Sequence, residues 1–268
     1  MLAFAGNSLL CRLALRETGI DPASFTAIRL LSGALVLWLI VRSRGAASRA
    51  LGSWPSALAL FVYAAGFSYA YISLTAATGA LLLFGAVQAT MISWGLWRGE
   101  RLAAMQLGGL VLAFGGLAGL LVPGLSAPPL GGAVLMLGAG VAWGVYSLRA
   151  KGSGDPTQAT AGNFLRAVPL AVLLGFVSWP WLVPDRIGMV CAVLSGALAS
   201  GLGYAVWYTA LRGLPATSAA TVQLSVPVIT ALGGVLLLGE GLSLRLLITS
   251  GAILGGIAIV ISHRTIRP

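Results

Sequence analysis

Gly99-Glu100-Arg101-Leu102 and Gly239-Glu240-Gly241-Leu242 are one short turn written twice, and each copy heads the same kind of apolar run. A glycine pair follows each glutamate at the same spacing, Gly115-Gly116 in the first copy and Gly255-Gly256 in the second. Repetition on this scale in an apolar chain reads as one membrane unit duplicated, a design common among carriers. The pattern narrows function to a class and leaves the solute open.

Working outward from the repeat, apolar residues make up 58% of the 268 positions and charged residues only 8%. An ordinary soluble domain carries about 25% charged residues, so this chain could not clothe a water-facing surface. Apolar runs of roughly 20 residues, enough to cross about 30 Å of hydrocarbon as a helix, recur along it. Read between polar breaks, they predict an all-α polytopic membrane protein with ten spans: 2–16, 22–41, 55–75, 78–97, 103–122, 130–149, 159–182, 187–211, 215–238 and 243–262. Asp21-Pro22 and Leu214-Pro215 punctuate helix starts, while Pro128-Pro129 breaks the midpoint. Two five-span units follow, residues 1–122 and 130–262. Five crossings are an odd number, so the second unit enters from the opposite face and the repeats are inverted.

The net charge of +10 raises the question of nucleic-acid or anionic partners. The basic residues are scattered between spans, however, with no basic stripe interleaved with aromatics, so they read as topology signals and no nucleic-acid partner is expected. Arg42, Arg44, Arg49, Arg98, Arg101, Arg149, Lys151, Arg212, Arg264 and Arg267 fall on one side of the expected membrane; Arg16, Arg186 and Arg245 fall on the other. That asymmetry puts both termini in the cytoplasm. Span one is short before Arg12: either the helix is thin and tilted or the start lies upstream of Met1. It lacks the basic leader and cleavage site of a signal peptide.

Candidate site residues come from polar groups inside the spans, where burial is expensive. Arg29 and Arg166 lie at matching depths in spans two and seven, one toward each mouth of a central path. Each either snorkels to headgroups or serves gating or attraction of an anionic group. Asn7, Gln88, Asn163 and Gln223 are amides that either bond between helices or orient a substrate. Tyr69 and Tyr204 share the echo Gly66-x-x-Tyr69-Ala70 and Gly201-x-x-Tyr204-Ala205, so they join the substrate-binding set. Aromatic faces with a few amides suit an amphiphilic or zwitterionic solute.

Other features read as structural. Glu100 and Glu240 precede helices whose N-termini they can cap, each remaining wet on its own face, with coupling or gating as the alternative role. Gly115-x-x-x-Gly119 and Gly251-x-x-x-Gly255 make spans five and ten packing helices. Pro169 and Pro227 interrupt spans seven and nine beside Asn163 and Gln223, which points instead to the second half's share of the central site. Cys11 and Cys191 read as small buried hydrophobes and His263 as an interfacial residue, so neither a metal nor another cofactor is expected. No acidic residue lies deep in a span, which disfavours a carboxylate-driven pump. There is no phosphate-binding glycine loop, HExxH or GxSxG elbow, so the chain does not read as an enzyme.

The Phe25-Thr-Ala-Ile-Arg29 segment, the Gly-Glu-x-Leu turns and Val226-Pro227-Val228-Ile229-Thr230-Ala231-Leu232 ahead of Glu240 resemble the EamA-type drug/metabolite transporters. The first half departs at Val87-Gln88, where that family often has a proline. The resemblance implies a bacterial inner-membrane carrier working by alternating access around a central cavity, usually exporting amino acids or other small metabolites. Expected partners are a small-molecule substrate and the lipid bilayer, with the chain a monomer or homodimer. The rival reading is a non-transporting membrane scaffold or subunit with the same fold.

Overall fold

A computed structural model describes residues 1–44, 52–99, 102–122, 127–150, 155–183, 185–211 and 222–262. Among these the chain is helical with no strand. In order come α1 (Leu2–Glu17), α2 (Pro22–Ser43), α3 (Trp54–Tyr71), α4 (Ala76–Trp97), α5 (Ala104–Leu121), α6 (Leu130–Ala150) and α7 (Pro156–Val177). A 3-10 turn at Trp179–Trp181 leads to α8 (Arg186–Leu194), a π-helical stretch (Ser195–Leu202) and α9 (Gly203–Leu211). The last two helices are α10 (Ser225–Leu238) and α11 (Leu244–Ser262).

Among the described residues seven helices are long and apolar enough to cross a membrane by length and composition, with Arg186–Trp207 counted as one span and Ser225–Leu238 a shorter apolar helix. Large apolar side chains stand exposed along them, including Leu31, Leu35 and Leu39 on α2 and Leu173, Phe176 and Val177 on α7. A water-soluble monomer rarely exposes so much contiguous apolar surface. The chain is a multi-pass membrane protein.

Local chemistry sets the helix starts. Asp21 and Asp155 cap α2 and α7, accepting from the Ser24 N–H and from the Thr157 and Gln158 N–H groups, each with proline at the first helical position. Proline there costs nothing, because its missing N–H would have had no helical partner. α8 is capped in turn by Asp185, whose Oδ1 accepts from the Gly188 N–H at 2.7 Å. Span seven therefore starts and stops before its expected limits. α7 runs unbroken through Pro169, and Pro227 sits in the first turn of α10. Pro169 does not break α7, whereas span nine is interrupted ahead of Pro227: helical Val222 and Gln223 are parted from α10 by a turn at Leu224, where the missing Pro227 N–H removes a helical hydrogen bond. The expected start of span nine lies outside the described residues, as do Glu100, Arg101, Lys151, Arg212 and His263.

The helices pack in a definite set of pairs. α2 lies on α7, α4 on α10, and α5 on α11. α3 and α4 both meet α6, while α1 meets α8, the π-helical stretch and α10. α5 and α11 form a pair at one side of the bundle, bridged by Gln106, whose Nε2 donates to the Val260 carbonyl at 3.1 Å. Their closest approach uses glycine because backbone meets backbone. A Cβ on Gly109 would lie 2.7 Å from the Gly256 oxygen, and one on Gly116 would lie 2.8 Å from the Ala252 Cβ. The expected glycine set is offset from this contact: Gly115, Gly251 and Gly255 face open space, and Gly119 touches only Thr249 at 3.6 Å. Each glycine doublet packs through its second member, since one residue turns a helix face by about 100°.

In lipid, close backbone packing replaces the hydrophobic drive between helices. Gly109→Ala is therefore expected to cost about 1–3 kcal/mol through overpacking, and Gly108→Ala, with nothing within 4 Å of its added Cβ, to stay within about 0.5 kcal/mol. Thermal unfolding of the purified variants in one detergent checks this. Equal losses at both positions would contradict it.

Candidate functional site

An aromatic cluster occupies the region where the two halves of the chain meet. α3 carries Tyr63, Phe67 and Tyr71 at i, i+4 and i+8, a spacing that aligns them on one helix face. Their rings pack at 5.5 Å and 4.8 Å between centroids. Trp143 of α6 joins the halves, lying 4.8 Å from Tyr63, 5.1 Å from Tyr204 and 5.3 Å from Tyr146. Phe4 of α1 and Phe164 of α7 close the group against Tyr204, at 5.7 Å and 5.8 Å.

Polar groups thread this cluster. Asn7 Nδ2 donates to Tyr63 Oη at 3.4 Å, and Asn7 Oδ1 accepts from Ser195 Oγ at 2.6 Å. Arg29 is only 1% exposed. Its Nη2 donates to Tyr63 Oη at 3.0 Å and its Nε to Ser200 Oγ at 3.3 Å. The guanidinium also lies over the rings of Phe67 and Tyr63, at 5.0 Å and 5.2 Å from their centroids. Ser195 and Ser200 both come from the π-helical stretch. Its i→i+5 repeat turns residues five apart toward one side, and such stretches cluster at functional sites.

The space inside is small. A cavity of about 20 Å³ touches Phe4, Asn7, Tyr63, Phe67, Trp143 and Gln223. That volume suits about one water molecule, so the compartment is closed in this conformation. A larger groove of about 530 Å³ lies between α4, α5 and α6, walled by Trp94, Trp97, Leu117, Val141 and Val145. Its walls are apolar and partly exposed, which fits lipid chains better than a polar solute.

The structure distributes the expected site residues unevenly. It brings Asn7, Gln223 and Tyr204 to the cluster or its cavity. Arg29 lies inside the bundle rather than at a mouth. Arg166 is half-buried and donates to the Gly162 carbonyl of its own helix at 3.0 Å. Asn163 ties α7 to the start of α3: its Oδ1 accepts from the Ser53 N–H at 2.9 Å, and its Nδ2 donates to Tyr146 Oη at 3.4 Å. Gln88 is buried within α4. Tyr69 is half-buried and shares no ring contact with the cluster among the described residues; Tyr63 and Phe67 face it instead. The echo between Tyr69 and Tyr204 misled because the wider π-helical stretch alters the rotation per residue ahead of Tyr204. The i, i+4, i+8 aromatic stripe was the readable signal for Tyr63.

A second polar centre was not expected. Arg12 extends from α1 to Glu240, Nε to Oε1 at 2.8 Å, with the two side chains 2% and 12% exposed. Arg12 Nη1 donates to the Tyr71 carbonyl at 2.9 Å, and Glu240 Oε2 accepts from the Ala76 N–H at 2.8 Å. Glu240 thus caps α4 rather than the helix after it. The reason is local. Gly239 adopts φ of +63°, a left-handed turn that glycine makes without strain, and it ends α10 so that Glu240 folds back onto the bundle. Ser243 serves α11 instead, accepting from the Leu246 N–H at 3.1 Å. The pairing also explains how α1 runs straight through Arg12. A polar recess of about 280 Å³ opens here, walled by Arg12, Arg16, Glu17, Thr75 and Glu240.

A helical bundle in lipid that buries cations and amides around a closed compartment has the design of a membrane transporter. Residues 130–262 match the EamA-like transporter family. Over 265 residues the chain is 60% identical to a Pseudomonas aeruginosa protein named "Uncharacterized protein PA1977", covering 98% of this chain and 92% of that one. It is 34% identical to the threonine/homoserine exporter RhtA of Escherichia coli over 130 residues, 46% of this chain and 42% of the exporter's length. The Bacillus subtilis transporter YvbV is 27% identical across 84% of this chain and 78% of its own. A solved crystal structure superposes on 97% of the chain with a TM-score of 0.68 at 21% identity, a likeness of fold. The chain belongs to the EamA-like transporter family and is a membrane transporter.

Breaking a buried ion pair by removing one partner costs about 3–5 kcal/mol. Arg12→Met and Glu240→Gln are each expected to lower stability on that scale, and the double variant to lose less than the sum. A double-mutant cycle on unfolding midpoints measures the coupling, expected at about 0.5–3 kcal/mol. Strict additivity would mean that the pair does not hold.

Proposed function

We propose that the protein is a secondary carrier that exports a small organic metabolite, such as an amino acid, across the bacterial cytoplasmic membrane by alternating access. The observation that carries this reading is the closed, aromatic-walled compartment that holds Asn7 and Gln223 between the two halves of a family transporter. Similarity to a threonine/homoserine exporter over part of the chain supports the amino-acid class.

The packing pairs support ten spans in two inverted repeats. Let α1, α2, α3, α4 and α5 correspond to α6, α7, the α8–α9 span, α10 and α11. Exchanging partners then turns α3 on α6 into α8 on α1, α4 on α6 into α10 on α1, and α3 on α7 into α8 on α2, all of which occur. The pairs α2 with α7, α4 with α10 and α5 with α11 map onto themselves. That is the behaviour of a two-fold axis through the compartment. In this reading the first four spans of each half rock about the solute while α5 and α11 hold the halves together. Both termini face the cytoplasm. Arg42 over Trp38 and Arg98 over Trp94 would then anchor two span ends at the cytoplasmic headgroups.

Counterflow in proteoliposomes tests transport, with L-threonine, L-homoserine and a broad metabolite panel as probes. Exchange is expected for at least one probe, reduced about tenfold or more by Asn7→Ala or Gln223→Ala, the scale of ~1.4 kcal/mol per decade. No exchange by folded protein across the panel would favour the scaffold reading. For topology, Glu17→Cys is expected to react with an impermeant thiol reagent from outside the cell and Arg98→Cys only after permeabilisation. The reverse pattern would overturn the orientation.

A further inference from the structure

Arg29 Nη1 is buried and has no hydrogen-bond partner. The other two nitrogens of the same guanidinium meet only neutral hydroxyls, those of Tyr63 and Ser200. No acid balances the charge among the described residues. Of the six acidic side chains in the sequence, Glu17 and Glu240 pair with Arg16 and Arg12. Asp21, Asp155 and Asp185 cap helix N-termini, and Glu100 lies outside the described residues.

A desolvated cation held against two π faces and two hydroxyls still lacks its counter-charge. Tyr63 connects it to the compartment. Its Oη accepts from both Arg29 and Asn7, and its own proton meets no acceptor among the described residues. Tyr63, Phe67 and Asn7 are also walls of the closed cavity, and Arg29 stands directly behind that wall, bonded to Tyr63 Oη and lying over the Tyr63 and Phe67 rings.

We infer that Arg29 is the seat of a carboxylate on the transported solute, with Tyr63 donating a second hydrogen bond. This rests on the carrier reading above and narrows its substrate to solutes bearing a carboxylate. Among the described residues one cation, Arg29, is present in the cluster, which balances a monoanion and leaves a phosphate dianion half-compensated. Once the compartment opens, its aromatic walls face the remainder of the solute. The solute's arrival neutralises a charge that the empty protein keeps buried.

The experiment pairs each carboxylate with the same molecule lacking it: L-threonine with 1-amino-2-propanol, L-homoserine with 3-amino-1-propanol, and further amino acids with their amines. Thermal shift and counterflow are read on the intact purified protein. Carboxylates are expected to raise the melting temperature and to exchange, and the amines to do neither. Arg29→Met is expected to lose the carboxylate response while the ligand-free protein melts at the same temperature or higher, a result that a purely structural arginine would not give. Should that variant not fold, Arg29→Lys decides, because an ammonium keeps the charge without the planar fork. A tenfold or greater rise in the carboxylate concentration needed supports the seat, and an unchanged response overturns it.

Exchange of amines as fast as their carboxylates would overturn the inference and leave the carrier intact. Exchange of no probe at all would remove both. A lower melting temperature of ligand-free Arg29→Met with its carboxylate response retained would make Arg29 a packing residue.

Discussion

Lipid offers a charge no solvent, so each cation inside this bundle needs a protein partner or a task. Arg12 has the partner. Its guanidinium bonds Glu240 and two backbone carbonyls near the end of α3, while the same carboxylate accepts the first N–H of α4. One ion pair therefore fastens α1, the α3–α4 turn and the end of α10 in a single knot. The knot closes one end of the bundle above the compartment, with a polar recess outside it. Any motion that opens this end to water must move α10 relative to α1 and α4, and so must strain or break these bonds.

Arg29 stands in contrast. It is as deeply buried as Arg12, yet its neighbours are phenol, hydroxyl and ring faces. Cation–π attraction and neutral donors soften the burial of a guanidinium without cancelling its charge. A protein selected for stability alone would place an acid or an apolar residue there. An uncompensated group is tolerable where a bound molecule completes it, and sites of function commonly sacrifice stability in this way. The two arginines are chemically identical and separated only by what faces them.

Much of the fold was legible because hydropathy and capping are local. Apolar runs with an Asp-Pro entrance located α2 and placed most other described helices to within about five residues, while the expected start of span nine falls outside the described residues. The Arg12–Glu240 bond was not legible, since it joins residues 228 positions apart and each looked like an end-of-span charge. Register was the second loss. A glycine doublet names a helix face only to within one residue, and packing chose Gly116 and Gly256 over their neighbours. A π-helical stretch leaves no clear hydropathy signature, so the aromatic echo matched Tyr204 with Tyr69 when the cluster holds Tyr63.

The site also divides unequally between the two halves. Residues 130–262 carry the family match and supply much of the aromatic box through Trp143, Tyr146, Phe164 and Tyr204. Asn7, Arg29, Tyr63 and Phe67 all precede that region; Asn7 and Tyr63 share the cavity wall with Gln223 of the second half, and Arg29 brings a charge up behind Tyr63. Apolar walls discriminate weakly, by about 1–3 kcal/mol per methylene, whereas a site built to hydrogen-bond its ligand rejects an analogue lacking that group far more strongly. On the proposed reading, solute choice draws on first-half residues outside the family match as well as on Gln223 within it. Membership of the family defines the machine, and the carboxylate seat proposed at Arg29 would select what it carries.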